Sequence, residues 1–270
     1  MRTIFIAEIG ENHLGDIRAA KDLIKNAAYA GADYVKFQSY TQNTFQQSDP
    51  EYDWFKKVAL SNEAHIELME TARRNNVRFL TAPFDMERAR FVCEELKLTE
   101  IKVASAMLLN FKMLDYFNSI GVETLFISTG MAVLPEIEQS LQYLRNIPHI
   151  YLLHCVTQYP CSDNEANLRA ITALQQRFNL PVGYSDHTIG IDACVSAAAL
   201  GAIVIEKHFT FDKSCTEGTD HILSATPDDF KDMVAKIRRV ELFLGDGNKK
   251  PSHGERQIMD FVRNRFSKNE

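Results

Sequence analysis

The sequence predicts a (β/α)8 TIM barrel, an α/β fold in a single domain, on three observations. A short β-branched or aromatic run ends in polar residues and leads into a longer amphipathic stretch, and this unit recurs about eight times along the 270 residues. Eight such units in about 245 residues suit a closed barrel better than an open doubly wound sheet. No Gly-x-Gly-x-x-Gly follows the first run, which removes the main support for a dinucleotide-binding open sheet.

Taken in order, the expected strands are Thr3–Ile9, Tyr34–Gln38, Val77–Pro83, Glu100–Ser105, Thr124–Thr129, Ile150–Cys155, Pro181–Asp186 and Ile203–Phe209. Segments between them, such as IRAAKDLIKNAAYAG, HIELMETARRNN, MERARFVCEELK and LPEIEQSLQYLRN, carry apolar residues at three- and four-residue spacing and are expected to be helices. Gly31 and Gly201 stand where helices should end before the next strand. The barrel is expected to occupy residues 1–245. The stretch 246–270 is polar and then weakly helical, and is expected to form a tail outside it.

Hydrophobic residues at 45% and charged residues at 24% are ordinary globular usage, and a formal charge of −6 argues against non-specific nucleic-acid binding. Five cysteines with no C-x-x-C pair read as buried reduced thiols. The N-terminal apolar run is interrupted too early for a signal peptide or a membrane span. The protein is therefore expected in the cytoplasm, with no membrane or nucleic-acid partner.

Unusual polar residues gather at the C-terminal ends of the expected strands, where barrels of this kind build their active sites. The clusters include Glu8 to His13, Lys36-Phe37-Gln38, Lys102 to Ser105, Ser128-Thr129-Gly130, His154-Cys155, Ser185-Asp186-His187 and Glu206-Lys207-His208. Strand alternation puts Lys36 and Gln38 on one face, Ser185 and His187 on one face, and Glu206 and His208 on one face. Ile203, Ile205 and Lys207 then fall on the opposite face. His187 and His208 end adjacent strands and could meet over one divalent cation, with water and Glu206 or Asp220 completing the set. A lone histidine at such a position is more often a hydrogen-bonded polar residue; two on neighbouring strands make the two readings even. Lys36 and Lys102 in a barrel mouth either form an imine with a carbonyl or pair as fixed charges with phosphate or carboxylate.

The motifs AEIGENHLG, AGADYVKFQ, ISTGM, LLHCVTQYP, GYSDHTIG, LGAIVIEKHFT and GTDHILS, in that order, resemble the sialic acid synthase family, which includes the legionaminate- and pseudaminate-type nonulosonate synthases. The resemblance runs from Ile6 to about Gly245. It implies an enzyme that condenses phosphoenolpyruvate with an open-chain sugar aldehyde and releases phosphate. It also implies that Lys36, Lys102, Ser105, Ser128 and Ser185 bind phosphoenolpyruvate. His187 and His208 would hold a divalent metal (Mn2+, with Mg2+ or Co2+ as alternatives), and Glu8, Gln38, Tyr159 and Asp220 would act on the sugar or the attacking water.

This chain departs from the family pattern at Met107, where many members have an acid, at Ala82, and in Val156-Thr157-Gln158 after His-Cys. Members typically continue into a small antifreeze-like domain that completes the partner's sugar site; the chain ends about where it would begin, so weak selectivity for N-acetylmannosamine is expected. A homodimer through barrel helices is the default assembly. The competing readings are a Schiff-base aldolase using Lys36 or Lys102, a synthase acting on a phosphorylated sugar, and a non-catalytic sugar-binding barrel.

Overall fold

In a computed structural model, which describes residues 2–218 and 220–266, the chain forms eight parallel strands alternating with helices. The strands are β1 (Ile4–Gly10), β2 (Tyr34–Ser39), β3 (Arg78–Pro83), β4 (Glu100–Val103), β5 (Thr124–Ser128), β6 (His149–Cys155), β7 (Val182–Asp186) and β8 (Val204–His208). Hydrogen bonds join them in the order β3-β2-β1-β8-β7-β6-β5-β4, and β3 packs beside β4 at the seam. This is the expected barrel.

The helices are α1 (Ile17–Ala30), α2 (Tyr52–Val58), α3 (Asn62–Arg74), α4 (Met86–Arg90), α5 (Phe111–Ile120), α6 (Leu134–Leu141), α7 (Arg169–Phe178), α8 (Asp192–Ala199), α9 (Pro227–Leu244) and α10 (His253–Phe266). Local chemistry sets their ends. Asp16, Ser61, Asp85 and Thr226 cap helix starts through their side chains, and Gly31 and Gly121 end helices in the left-handed conformation.

Three elements differ from expectation. The segment LPEIEQSLQYLRN is helical only to Leu141, after which the chain turns. MERARFVCEELK is not one regular helix: α4 passes into a π-helical turn at Phe91–Glu95. The fourth strand stops at Val103, and Ser105–Met107 turn as a 3-10 helix, which lifts Ser105 out of the ladder and over the barrel mouth.

Alternation divides the strands cleanly. Phe5, Ala7, Val35, Phe37, Ile101, Val103, Leu125, Ile127 and Ile205 face the helices in the larger core. Ile6, Tyr34, Leu80, Phe126, Leu153 and Val204 meet inside the barrel as a plug. The polar strand ends sit directly above this plug. Ile203 lies just before β8 and packs against the plug, so alternation misplaces it, while Lys207 is fully buried among the outer layer as expected.

Helix α10 has no buried residue, and of the tail only 246–266 falls within the described residues. Cys93, Cys155, Cys161 and Cys194 are buried free thiols, whereas Cys215 is half-exposed. No helix among the described residues is long and apolar enough to cross a membrane.

Candidate active site

A cavity of about 770 Å³ opens at the C-terminal end of the barrel. Glu8, Lys36, Gln38, Lys102, Ser105, Ser128, Tyr159, Ser185, His187, His208 and Asp220 all line it. The fold thus brings the candidate site residues together, whereas Asn12, His13, Thr129, His154, Asp186 and Lys207 of the strand-end clusters do not line the cavity.

Its floor is an alternating set of charges. Lys36 Nζ lies 2.8 Å from Glu8 Oε2, and both Lys36 and Lys102 lie 3.8 Å from Glu206 Oε1. Ser185 donates to that same Glu206 oxygen at 2.8 Å, and Lys102 donates to Ser128 Oγ at 2.6 Å and to the Val103 carbonyl at 3.1 Å. Strand register makes these neighbours: Glu8 opposes Lys36, and Ser185 opposes Glu206.

All four ionic groups are buried, so their charges depend on one another. Burial pushes the Glu8 carboxyl up to about 7, with Glu206 adding to the rise and Lys36 opposing it. Burial would likewise raise Glu206, but Lys102 and Lys36 outweigh it and hold this carboxyl below its ordinary value. For Lys36 burial is overcome by Glu206 and Glu8, which keep the amine above its usual range. Lys102 is left lowered, by burial first and by its cationic neighbour Lys36.

Beside this floor stand the two histidines, their rings 5.4 Å apart, with the Tyr159 ring 4.1 Å from that of His187. Because the Val156 carbonyl can only accept, His187 Nδ1–H is the donor in their 2.6 Å contact, which leaves Nε2 with its lone pair. His208 is held neutral by burial, reinforced by His187 and Lys36, and its Nδ1 is buried without a hydrogen-bond partner. Asp220 Oδ2 lies 3.5 Å from that nitrogen. Glu206, by contrast, is turned to the lysines.

Among the described residues no group of three or more His, Cys, Asp or Glu side chains is gathered closely enough to hold a metal alone. Two imidazoles, one with a fixed tautomer and one with an orphaned buried nitrogen, nevertheless fit a divalent cation whose other ligands are oxygens of small molecules.

Small residues keep the mouth open. Ser105 Oγ accepts from the Gly130 amide at 3.1 Å, and a Cβ at Gly130 would come within 2.1 Å of Thr157 Oγ1 and 2.7 Å of Ser105 Oγ. The position has no room for any side chain.

Several lining residues were not among the candidate site residues, although Glu11 stands in the first strand-end cluster and Gly218 opens the motif GTDHILS. Phe45, Trp54, Phe55 and Phe84 form an aromatic wall, to which Glu11, Glu51, Thr216 and Gly218 contribute neighbours. Phe45 and Phe55 stack at 3.9 Å, and Tyr40 packs edge-on against both. Most of this wall comes from the segment between β2 and α3, which lacks helical periodicity over most of its length. The aromatic spacing Tyr40, Phe45, Trp54, Phe55 was the available signal. Gly218, with φ +78°, sits against the indole, and a Cβ there would be 2.8 Å from Trp54 Cζ2.

Comparison with known proteins decides the family. Residues 23–249 match the model of the NeuB family. The chain belongs to the NeuB family. It is 40% identical over 281 residues to N,N'-diacetyllegionaminic acid synthase of Campylobacter jejuni, covering 97% of this chain and 83% of that protein. The enzyme of the same name from Legionella pneumophila is 38% identical, with 97% and 79% covered. The solved structure of N-acetylneuraminic acid synthetase from Leptospira borgpetersenii, in complex with citrate, superposes with a TM-score of 0.92 at 32% identity and covers 100% of this chain and 94% of that one. These NeuB relatives are enzymes, and their resemblance extends over the whole barrel.

Proposed function

We propose that this NeuB-family barrel condenses phosphoenolpyruvate with an open-chain amino-sugar aldehyde, giving a 3-deoxy-2-keto sugar acid (sialic, legionaminic or related) and phosphate. The observation that carries this reading is the juxtaposition of an alternating Lys–Glu floor with a pair of imidazoles in one cavity. It offers cationic donors for a polyanion and, beside them, a place to polarise a carbonyl.

Lys36 and Lys102, with the hydroxyls of Ser105, Ser128 and Ser185, bind the carboxylate and phosphate of phosphoenolpyruvate through charge-assisted hydrogen bonds. His187 and His208 would hold the divalent ion, Mn2+ before Mg2+ or Co2+. When bound, that ion supplies Lewis-acid polarisation of the aldehyde oxygen. Gln38, Tyr159 and Asp220 orient the sugar so that its aldehyde carbon faces carbon three of phosphoenolpyruvate. The new carbon–carbon bond leaves positive charge at carbon two, which the ionised Glu206 beneath stabilises. Water adds there, and Glu8, whose carboxyl titrates near neutrality, accepts its proton. Collapse of the tetrahedral centre forms the ketone and breaks the carbon–oxygen bond to phosphate; the hydroxyl proton leaves with the phosphate, whose charge Lys102 and Lys36 stabilise, and the proton held on Glu8 passes to the former aldehyde oxygen.

Lys36 is held protonated by two carboxylates, which supports a fixed-charge role over imine formation. Five free cysteines suit a reducing cytoplasm, and a twofold dimer through the outer helices is the proposed assembly.

The test is phosphate release from phosphoenolpyruvate with a panel of acetamido and plain six-carbon sugars, each with Mn2+, Mg2+, Co2+ or chelator. Release with at least one acetamido sugar, abolished by chelator and by His208→Ala, is expected. No release under any combination overturns the reading.

A further inference from the structure

Directly behind the two histidines, on the helix-facing side of the strands, lies an ion pair that the reaction does not touch. Lys207 Nζ is 2.7 Å from Asp186 Oδ2, and both side chains are completely buried. Three more donors converge on this carboxylate: Tyr184 Oη at 2.9 Å and the Thr188 amide at 2.9 Å on Oδ1, and Cys194 Sγ at 3.2 Å on Oδ2. Lys207 also donates to the Thr188 carbonyl.

A fully buried ion pair loses its hydration, and replacing such a pair with apolar groups of similar volume is often neutral or stabilising. Stability alone is therefore a poor reason for it to be here. Its position in the chain suggests another. Asp186 and Thr188 flank His187, and Lys207 precedes His208. Thr188, the residue after His187, is gripped on both sides, its N–H donating to Asp186 and its carbonyl accepting from Lys207. The β7–β8 register ends with the pair Asp186–Lys207, while His208 is paired in register with Glu8 on β1. Beyond that last rung no β7–β8 ladder joins His187 to His208: the segment after β7 is held on one side by the Cys161 amide, which donates to the His187 carbonyl at 2.8 Å, and is tied to β8 by the side-chain pair.

We infer that Asp186 and Lys207 are positioning residues that set the separation of the His187 and His208 imidazoles for a divalent cation. This rests on the proposed metal-binding role of the two histidines. Loss of the pair would let the segment after β7 shift independently of β8, weakening cation binding without opening the core.

The test compares Mn2+ binding, read from the loss of the free-ion electron paramagnetic resonance signal, in the wild type, Asp186→Asn, the double variant Asp186→Asn/Lys207→Met, and His208→Ala. Thermal midpoints are measured without metal. The double variant should keep its midpoint yet bind Mn2+ about tenfold to a hundredfold more weakly, the range found for partners that orient metal ligands. Phosphate release should return when Mn2+ is raised in proportion. Should the double variant fail to fold, the isosteric Asp186→Asn decides the matter, with Mn2+ binding weakened about tenfold or more as its expected result. Wild-type affinity in a folded variant overturns the inference and leaves the histidine site standing. A wild type that binds Mn2+ no better than His208→Ala overturns both.

Discussion

The indole Nε1 of Trp54 donates to Glu11 Oε2 at 2.6 Å, and Tyr40 donates to the other oxygen of the same carboxylate. Glu11 therefore holds an aromatic wall in place at the edge of the cavity. The wall stands over β2 and β3, across β1 from the histidines. Its faces suit the carbon-bound hydrogens or acyl methyl of a sugar whose aldehyde lies at His187 and His208. Trp54→Ala should raise KM for the sugar about threefold to tenfold, the cost of one lost aromatic contact. KM for phosphoenolpyruvate should stay unchanged; an equal rise in both would remove Trp54 from the sugar subsite.

Lys102 is assigned to the anion, and its loss should be felt there. Charge-assisted hydrogen bonds contribute about 1.5–3 kcal/mol, so Lys102→Met should raise KM for phosphoenolpyruvate about tenfold to a hundredfold. Steady-state titration of each substrate at saturating levels of the other checks this. A rise confined to the sugar would reverse the assignment.

Both halves of the barrel's logic were legible before the structure. The strand–helix alternation and the polar strand ends follow from backbone periodicity alone, and alternation placed Lys36, Gln38, Ser185, His187, Glu206 and His208 inside. What sequence could not show was how the charges pair. Glu206 looked as suitable for the metal as Asp220, because both lie near His208 along the chain or in the motifs. Only three-dimensional proximity assigns Glu206 to two lysines from distant strands and Asp220 to the imidazole. The aromatic wall was missed because most of it is built on the 3-10 turn Gln42–Thr44 and the short helix α2, where no periodic face announces itself.

A buried histidine away from the cavity gives the fold a dependence on acid. His65 Nδ1–H donates to the Ser61 carbonyl at 2.9 Å, its Nε2 is buried without a partner, and it packs edge-on against Phe79 and Phe91. Burial lowers its pKa to about 4, with Arg88 and His13 adding to the effect and the Ser61 carbonyl opposing it. The unfolded chain therefore binds a proton more readily than the folded one. The stabilisation is complete above about pH 6.5 and is lost as pH falls toward 4, by about 2 kcal/mol at pH 5. Urea unfolding of wild type and His65→Phe at pH 7 and pH 5 should show a smaller loss in the variant. Parallel losses would exclude His65 as the titrating group.

Helix α10 has no fully buried residue, so the stability of the barrel should depend little on it. A chain ending at Gly245 should melt within about 2 °C of the full chain, since changes confined to exposed surface alter stability by about 0.5 kcal/mol or less. A fall of more than about 5 °C would mean that the tail is part of the folding unit.

The Lys–Glu floor has a consequence for how the cavity fills. Glu8 and Glu206 already give Lys36 and Lys102 the anionic company that a substrate would bring. The resting protein thus carries an internal surrogate of its ligand. Binding becomes an exchange of one set of oxygens for another, with little reorganisation of the surrounding dipoles. On the proposed assignment, an arriving anion would meet a field that is already in place, at some cost in affinity from the carboxylates that share it.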